Sequence, residues 1–324
     1  MGKIDVEARN YLRDSRHFAD AFNYYLYDGR QVIDPAALRP LDTAEIAVPA
    51  AGGRRQPAQA FRDVLKAWNV MEDDRGVYAI LGAEAQAHIH YAMPVKCGLY
   101  DFMNYSDQVE DQRRANAGER GLTGGEFLSG FRKRDRLKPV ITLVIYFGEA
   151  AWDGPMGLHD MFQSVEPELM RFIPDYRINL IAPARMGEAE FRKFRTDLGR
   201  VLEFIKYSRE KEKLEAAVHR DAGYRAMDAD SYELIRLVTH SNLKAEEKEG
   251  KVDMCLAIEE IRRESVQQGM QQGMQKGMQQ GESNATVRYI HELMGKLGLS
   301  APQAMDLLNI PVEERERYAA LVKH

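Results

Sequence analysis

Glu84-Ala85-Gln86 closes an apolar run, Val77-Tyr-Ala-Ile-Leu-Gly-Ala83, and lies 21 residues after Asp63. Two carboxylates at the ends of adjoining strands form a donor set for a hard divalent cation. Mg2+ prefers oxygen ligands in octahedral geometry and usually takes one or two carboxylates, waters and phosphate oxygens. A cation held this way lowers the pKa of a bound water and neutralises charge developing on a phosphate. The Ala85 carbonyl is a third protein oxygen. Gln86 shares the strand face of Glu84, and its amide can hydrogen-bond a water or a phosphate. A plainer reading stays open, because strand-end carboxylates are commonly solvated or salt-bridged. Asp73 and Asp74 compete for the first-carboxylate role, although a turn is the usual place for such residues.

The elements that must position these groups follow from periodicity. Residues 63–70 and 77–86 read as strands joined through the Glu72-Asp73-Asp74-Arg75-Gly76 turn, hence a hairpin. Residues 8–27 read as a helix with Phe18, Phe22, Tyr25 and Leu26 on one face, stopped by Asp28-Gly29. Residues 29–60 are mixed, with punctuation around Ala51-Gly52-Gly53. Met93-Pro94 opens a helix running to about Arg114. The β-branched run 139–147 has the pattern of a strand buried on both faces. A short strand follows at 177–182. An amphipathic helix spans 188–207, its stripe formed by Phe191, Phe194, Leu198, Leu202 and Ile205. This order gives a mixed α/β layer domain over 1–210.

Beyond it, 211–266 is charged and mostly helical. Residues 267–283 repeat Gln-Gln-Gly-Met with a four-residue period. Glycine costs a helix about 1 kcal/mol per residue relative to alanine, so the repeat reads as a weak helix or tether. A coiled-coil partner helix is the sharper alternative. Residues 284–324 form a small helical module, with a capping box at Ser300–Gln303 and a break at Ile310-Pro311. Self-association through this C-terminal helical region is an expected partnership.

A net charge of −5 over 324 residues excludes a polycation, so any nucleic-acid contact must be local. Arg132, Lys133, Arg134, Arg136 and Lys138, opposed within that stretch by Asp135 alone, form such a patch beside Phe131, and Arg113, Arg114 and Arg120 could extend it. The bland reading is a solvated loop. Cys97 and Cys255 are the two cysteines. Their wide separation fits a reducing cytoplasm rather than a disulfide framework or zinc finger. No run reaches membrane-span length, and no membrane partner is expected. His88 and His90 continue the alternation of Glu84 and Gln86 and would form a transition-metal site if the strand continued. The nearby helix start instead predicts a loop. Trp152-Asp-Gly-Pro155 reads as a packing turn or, alternatively, a substrate loop.

Arg62-Asp63-Val-Leu-Lys66, Val77–Gln86, Met93-Pro-Val-Lys96, Tyr100-Asp101, Pro139–Gly148, Trp152–Pro155 and Pro174–Pro183 together resemble one family. It is the recombination-promoting nuclease / putative transposase family of the PD-(D/E)XK nuclease superfamily. The resemblance covers about the first two-thirds of the chain. It implies a restriction-endonuclease-like fold and Mg2+-dependent hydrolysis of DNA phosphodiester bonds, with Mn2+ as a substitute metal. It implies Asp63 and Glu84 as the metal carboxylates and a role in recombination or transposition. Gln86 stands where the wider superfamily has lysine. Lys96, on the following helix, is the candidate replacement charge, with Tyr100 one turn on, and Asp20 is a candidate supporting acid. The expected function is therefore a cytoplasmic, metal-dependent DNA endonuclease. The alternative is a catalytically weak DNA-binding or self-associating protein on the same fold.

Overall fold

The computed structural model of the chain describes residues 2–41, 47–49, 55–57, 63–72 and 75–322. Arg62, the Ala51-Gly52-Gly53 punctuation and Asp73-Asp74 lie outside the described residues. The first elements are α1 (Lys3–Arg13), α2 (Ser15–Tyr27), β1 (Leu38–Pro40), β2 (Ala47–Pro49) and β3 (Arg55–Pro57). Next come β4 (Val64–Glu72), β5 (Arg75–Gln86), α3 (Met93–Asn116), α4 (Gly124–Ser129) and β6 (Val140–Tyr146). They are followed by α5 (Pro167–Met170), β7 (Asn179–Ile181), α6 (Glu188–Phe191), α7 (Leu198–Tyr207) and α8 (Lys211–Arg220). Then come β8 (Met227–Asp228), α9 (Ala229–Val238), β9 (Glu247–Lys248), β10 (Lys251–Val252), α10 (Met254–Leu297), α11 (Ala301–Leu307) and α12 (Val312–Val322).

The central sheet has the strand order β1-β4-β5-β6-β7. β1, β4 and β5 pair antiparallel. β5, β6 and β7 pair parallel. Parallel neighbours require a crossover connection, commonly helical, and α3 with α4 supplies it between β5 and β6. This mixed sheet flanked by helices is consistent with a restriction-endonuclease-like arrangement.

Side chains alternate between the two faces. One face carries Glu84, Val144 and Tyr146 toward α3, where Met93, Cys97, Trp152, Ile178 and Ala182 complete a buried cluster. Trp152 donates through Nε1 to the Gly154 carbonyl, 2.9 Å, so Trp152–Pro155 is a packing turn. The other face carries Val64, Lys66 and Trp68. Lys66 is buried, yet its Nζ donates to the Arg13 carbonyl and the Ser15 hydroxyl, each at 2.8 Å. It also lies 5.0 Å from the centre of the Phe18 ring. Burial pulls its pKa down. The ammonium thus ties the α1–α2 junction to β4.

Two expected helices are broken. The first splits at Asp14, whose carboxylate accepts the Arg16 amide at 2.7 Å and caps α2. Short acidic side chains favour caps over helix interiors because they satisfy orphan amides. The 188–207 helix divides into α6 and α7. Asp20 explains the break: it accepts the Arg195 and Thr196 amides and the Thr196 hydroxyl, all at 2.7–3.0 Å. Those amides leave the helical ladder. The apolar stripe survives, with Phe191, Phe194, Leu198, Leu202 and Ile205 all buried.

The composition change near 210 does not mark a break in packing. Helices α8 and α9 pack on α7, and the first compact unit runs from Met1 to Ile258. The second unit, Glu259–His324, has its own core of Ile290, Ala304, Met305, Ile310, Tyr318 and Val322. The Gln-Gly-Met repeat is helical throughout, inside α10. Met270, Met274 and Met278 are exposed.

Asp20→Ala would leave buried amides unpartnered and should cost about 3 kcal/mol of unfolding free energy, read from urea titration. A Cβ at Gly269, Gly273, Gly277 or Gly281 would meet nothing within 4 Å. Replacing all four by alanine should raise the helical circular dichroism signal and the melting temperature of this segment, each contributing up to about 1 kcal/mol.

Candidate active site

The antiparallel ladder pairs Val64 with Ala83, Leu65 with Gly82 and Lys66 with Leu81. One step beyond Val64–Ala83 brings Asp63 opposite Glu84. Directly opposed residues on such a pair have Cβ atoms about 5 Å apart and project to the same face. Asp63 is fixed there by its own backbone neighbour: its Oδ2 accepts the Ala85 amide at 3.0 Å. In extended backbone the amide and carbonyl of one residue point to the same side, so the Ala85 carbonyl is directed to the Asp63 side.

Both carboxylates are withdrawn from water, Asp63 at 4% and Glu84 at 0% relative exposure. Lys96, in the first turn of α3, places Nζ 2.7 Å from Glu84 Oε2. Burial alone would lower the Lys96 pKa, but the Glu84 carboxylate, with smaller contributions from Tyr100 and Asp63, holds the ammonium above its ordinary value. The Tyr100 ring centre lies 5.9 Å from Lys96 Nζ. Asp63 is held differently. Burial raises its carboxyl above the ordinary value, against the opposing pull of Lys96, the Ala85 amide and Arg9. Among the described residues its Oδ1 has no hydrogen-bond partner.

The height of α3 over the sheet is set one turn further along. Asp101 accepts the Thr142 hydroxyl at 2.5 Å and the Tyr176 hydroxyl. Thr142 pairs with Gly82 in the β5–β6 register, two residues before Glu84. Pinning Asp101 there leaves Lys96 over the end of β5.

Of the residues singled out by sequence, Asp63, Glu84, Lys96 and Tyr100 come together. Gln86 follows Glu84 on the same face and is half-buried, and its carbonyl accepts the Phe147 amide at 2.8 Å. Asp20 does not serve as a supporting acid: its carboxylate is committed to the segment 195–196. β5 ends at Gln86 and leaves His88 and His90 exposed beyond it. Among the described residues no group of three or more His, Cys, Asp or Glu side chains could hold a metal. Two carboxylates with a carbonyl would need waters or phosphate oxygens to complete a Mg2+ shell.

The sequence reading missed α1 as a wall of this site. Helix α1 packs on β5, and Asp5 accepts the Ala87 amide at 3.3 Å. Arg9 acts on Asp63 electrostatically, and its Nε is buried without a hydrogen-bond partner among the described residues. Asp5 and Arg9 share a helix face through their i, i+4 spacing. That spacing was visible in the sequence, but nothing there told which sheet edge the helix meets.

The basic loop departs from expectation in two respects. Arg132 is buried and ion-paired with Glu119, so it is not a surface DNA contact. Arg136 donates to the Lys133 and Asp135 carbonyls. Lys133, Arg134, Arg136 and Lys138 are nonetheless exposed. The loop also enters the far end of the sheet: Val140 pairs with Ile80, four residues before Glu84, or about 13 Å along the strand.

A family model described as putative transposase, YhgA-like, matches residues 126–230. This match supports the putative transposase family. It takes in the basic run Arg132–Lys138, β6 and β7, and begins after Asp63, Glu84 and Lys96 in the chain. No curated protein and no solved structure matches. No helix among the described residues is long and apolar enough to cross a membrane.

A carboxyl whose pKa is raised on folding contributes its full stability below the unfolded value of about 4 and loses it as the pH rises through the folded value. Asp63→Asn should therefore raise the melting temperature in EDTA at pH 7, and the gain should vanish near pH 3. The same substitution should abolish any Mg2+-dependent rise in melting temperature, measured by scanning calorimetry.

Proposed function

We propose that the chain is a Mg2+-dependent DNA endonuclease of the PD-(D/E)XK superfamily, able to use Mn2+ in place of Mg2+. The observation that carries this reading is the antiparallel register that sets Asp63 across from Glu84, with one buried Asp63 oxygen that has no hydrogen-bond partner among the described residues. An acceptor-only oxygen withdrawn from water costs stability unless a donor or cation meets it. The donor set is all oxygen, which suits Mg2+ rather than a softer metal. The family name attached to residues 126–230 favours DNA as the substrate class.

Asp63, Glu84 and the Ala85 carbonyl would hold the cation. When bound, the cation supplies charge neutralisation at the phosphate and activation of an attacking water. Lys96 keeps its proton and supplies positive charge beside the carboxylates, the charge that a lysine at position 86 would otherwise bring. Gln86 orients a water or phosphate oxygen through its amide. Tyr100 confines the Lys96 stem. Cut DNA is the starting material for recombination and transposition, which accords with the family name.

The Lys96–Glu84 contact also favours a second reading, because it already satisfies one carboxylate. On that reading the protein binds DNA with a weakened site, or self-associates through the C-terminal helices.

The two readings separate in a nicking assay on supercoiled plasmid. The endonuclease reading expects Mg2+-dependent nicking that EDTA stops. Asp63→Ala and Glu84→Ala should each lower the rate at least about a hundredfold, since a few kcal/mol of charge stabilisation is lost. Lys96→Ala should lower it by about tenfold or more. Nicking that survives both carboxylate substitutions overturns the assignment. Salt-dependent duplex binding without nicking in Mg2+ or Mn2+ supports the second reading.

A further inference from the structure

Residues 113–138 carry eight Lys and Arg against three Asp and Glu, a net +5 inside a chain of net −5. At the centre of this segment, α4 presents Phe127 at 78% and Leu128 at 86% relative exposure. Large apolar side chains so fully in water are unusual on a surface otherwise charged. The pair is held on a rigid mount. Thr123 and Glu126 form a reciprocal cap at the start of α4. The other Glu126 oxygen accepts the Lys133 amide at 3.1 Å. Gly130 ends the helix at φ 70°, against the Arg113 stem. Asn116, the last residue of α3, donates to the Gly130 carbonyl at 3.0 Å and to Asp135 at 2.8 Å. Buried Arg132 closes the base through its ion pair with the exposed Glu119.

We infer that Phe127 and Leu128 are a wedge that inserts between base pairs of duplex DNA, with Lys133, Arg134, Arg136 and Lys138 holding the flanking phosphates. The inference rests on DNA being the substrate, as proposed above. The shape argues for a wedge rather than a protein-docking face. A helix laid into a groove uses residues at i, i+3 and i+4, whereas two adjacent residues at the tip of a six-residue helix form a blunt apolar point. Phe and Leu are among the side chains that unstack a base step and kink the duplex. Clustered cations meet the phosphate lattice on either side.

The mount also fixes where the wedge acts. Asn116 lies 20 residues beyond Lys96 on the single helix α3, about 30 Å along its axis. For a duplex lying along α3, at about 3.4 Å per base pair, the wedged step lies on the order of nine base pairs from the phosphate at Asp63 and Glu84.

The test uses the full-length protein and a duplex of about 40 base pairs with a single 2-aminopurine, moved position by position. Binding is read in EDTA at low salt, and the nick is mapped separately in Mg2+. The wedge predicts a fluorescence rise centred about nine base pairs from the nick. Asp63→Ala should keep the rise. A Phe127→Ala, Leu128→Ala double variant should lose it and bind about tenfold more weakly. Both side chains are exposed, so the double variant is expected to melt like the parent. The inference is overturned if bound protein gives no rise at any position or if the rise persists in the double variant. It is also overturned by a rise centred within about three base pairs of the nick, or by a change in molar mass of the double variant on light scattering. That last result would assign the pair to a protein interface. Nicking without a rise sinks the wedge alone, and a rise without nicking sinks the endonuclease reading alone.

Discussion

The β4–β5 register carries the site. Strand side chains alternate with a period of two, so a slip of one residue would send every side chain of β4 to the opposite face. Val64, Lys66 and Trp68 would leave the core beneath α1 and α2, and Asp63 would leave the face of Glu84. Because the hydrophobic face and the Lys66 ammonium each specify the register, the carboxylate pair is held by groups that never touch it. The Asp63–Ala85 hydrogen bond then fixes the last step, where β4 has ended and β5 continues.

A helix must be brought to this strand end, and a buried polar cluster does so. Asp101 joins α3 to β6 through Thr142 and to the segment before β7 through Tyr176. Around it Met93, Cys97, Val144, Tyr146 and Trp152 exclude water. In that dry setting Lys96 and Glu84 compensate each other, because neither charge could be buried alone. Asp63 is compensated less fully: burial raises its pKa, and among the described residues Oδ1 has no hydrogen-bond partner. The site is therefore asymmetric, one carboxylate in direct contact with a lysine and the other influenced by Lys96 and Arg9 only at longer range.

Charge is distributed along the same helix. The N-terminal turn of α3 serves the carboxylates, and its C-terminal end supports a positively charged projection. A single rigid helix linking them means that anything bound at one end is registered against the other by a fixed length. The rest of the chain carries an acidic excess, so the positive charge is concentrated at that projection.

Much of the architecture was legible in the sequence, for physical reasons. The hairpin, the buried strand β6, the helix opened by Met93-Pro94 and the end of β5 at Gln86 follow from local periodicity and turn chemistry. The Phe191–Ile205 stripe correctly named core residues, because burial depends on which side chains are apolar. It misjudged the backbone, because Asp20, about 175 positions away in the chain, takes the amides that a continuous helix needs. Arg132 looked like its neighbours in a basic run and became buried only when folding set Glu119 beside it. The spacing of Asp5 and Arg9 did not reveal their place at the site, since a helix does not record which sheet edge it will meet. Asp63 and Glu84 mark the boundary between the two kinds of information. The sequence by itself determined which residues offer carboxylate oxygens and that both stand at strand ends. Only tertiary pairing decided the exact register that sets Asp63 across from Glu84, because register is a sum over contacts that no single strand contains.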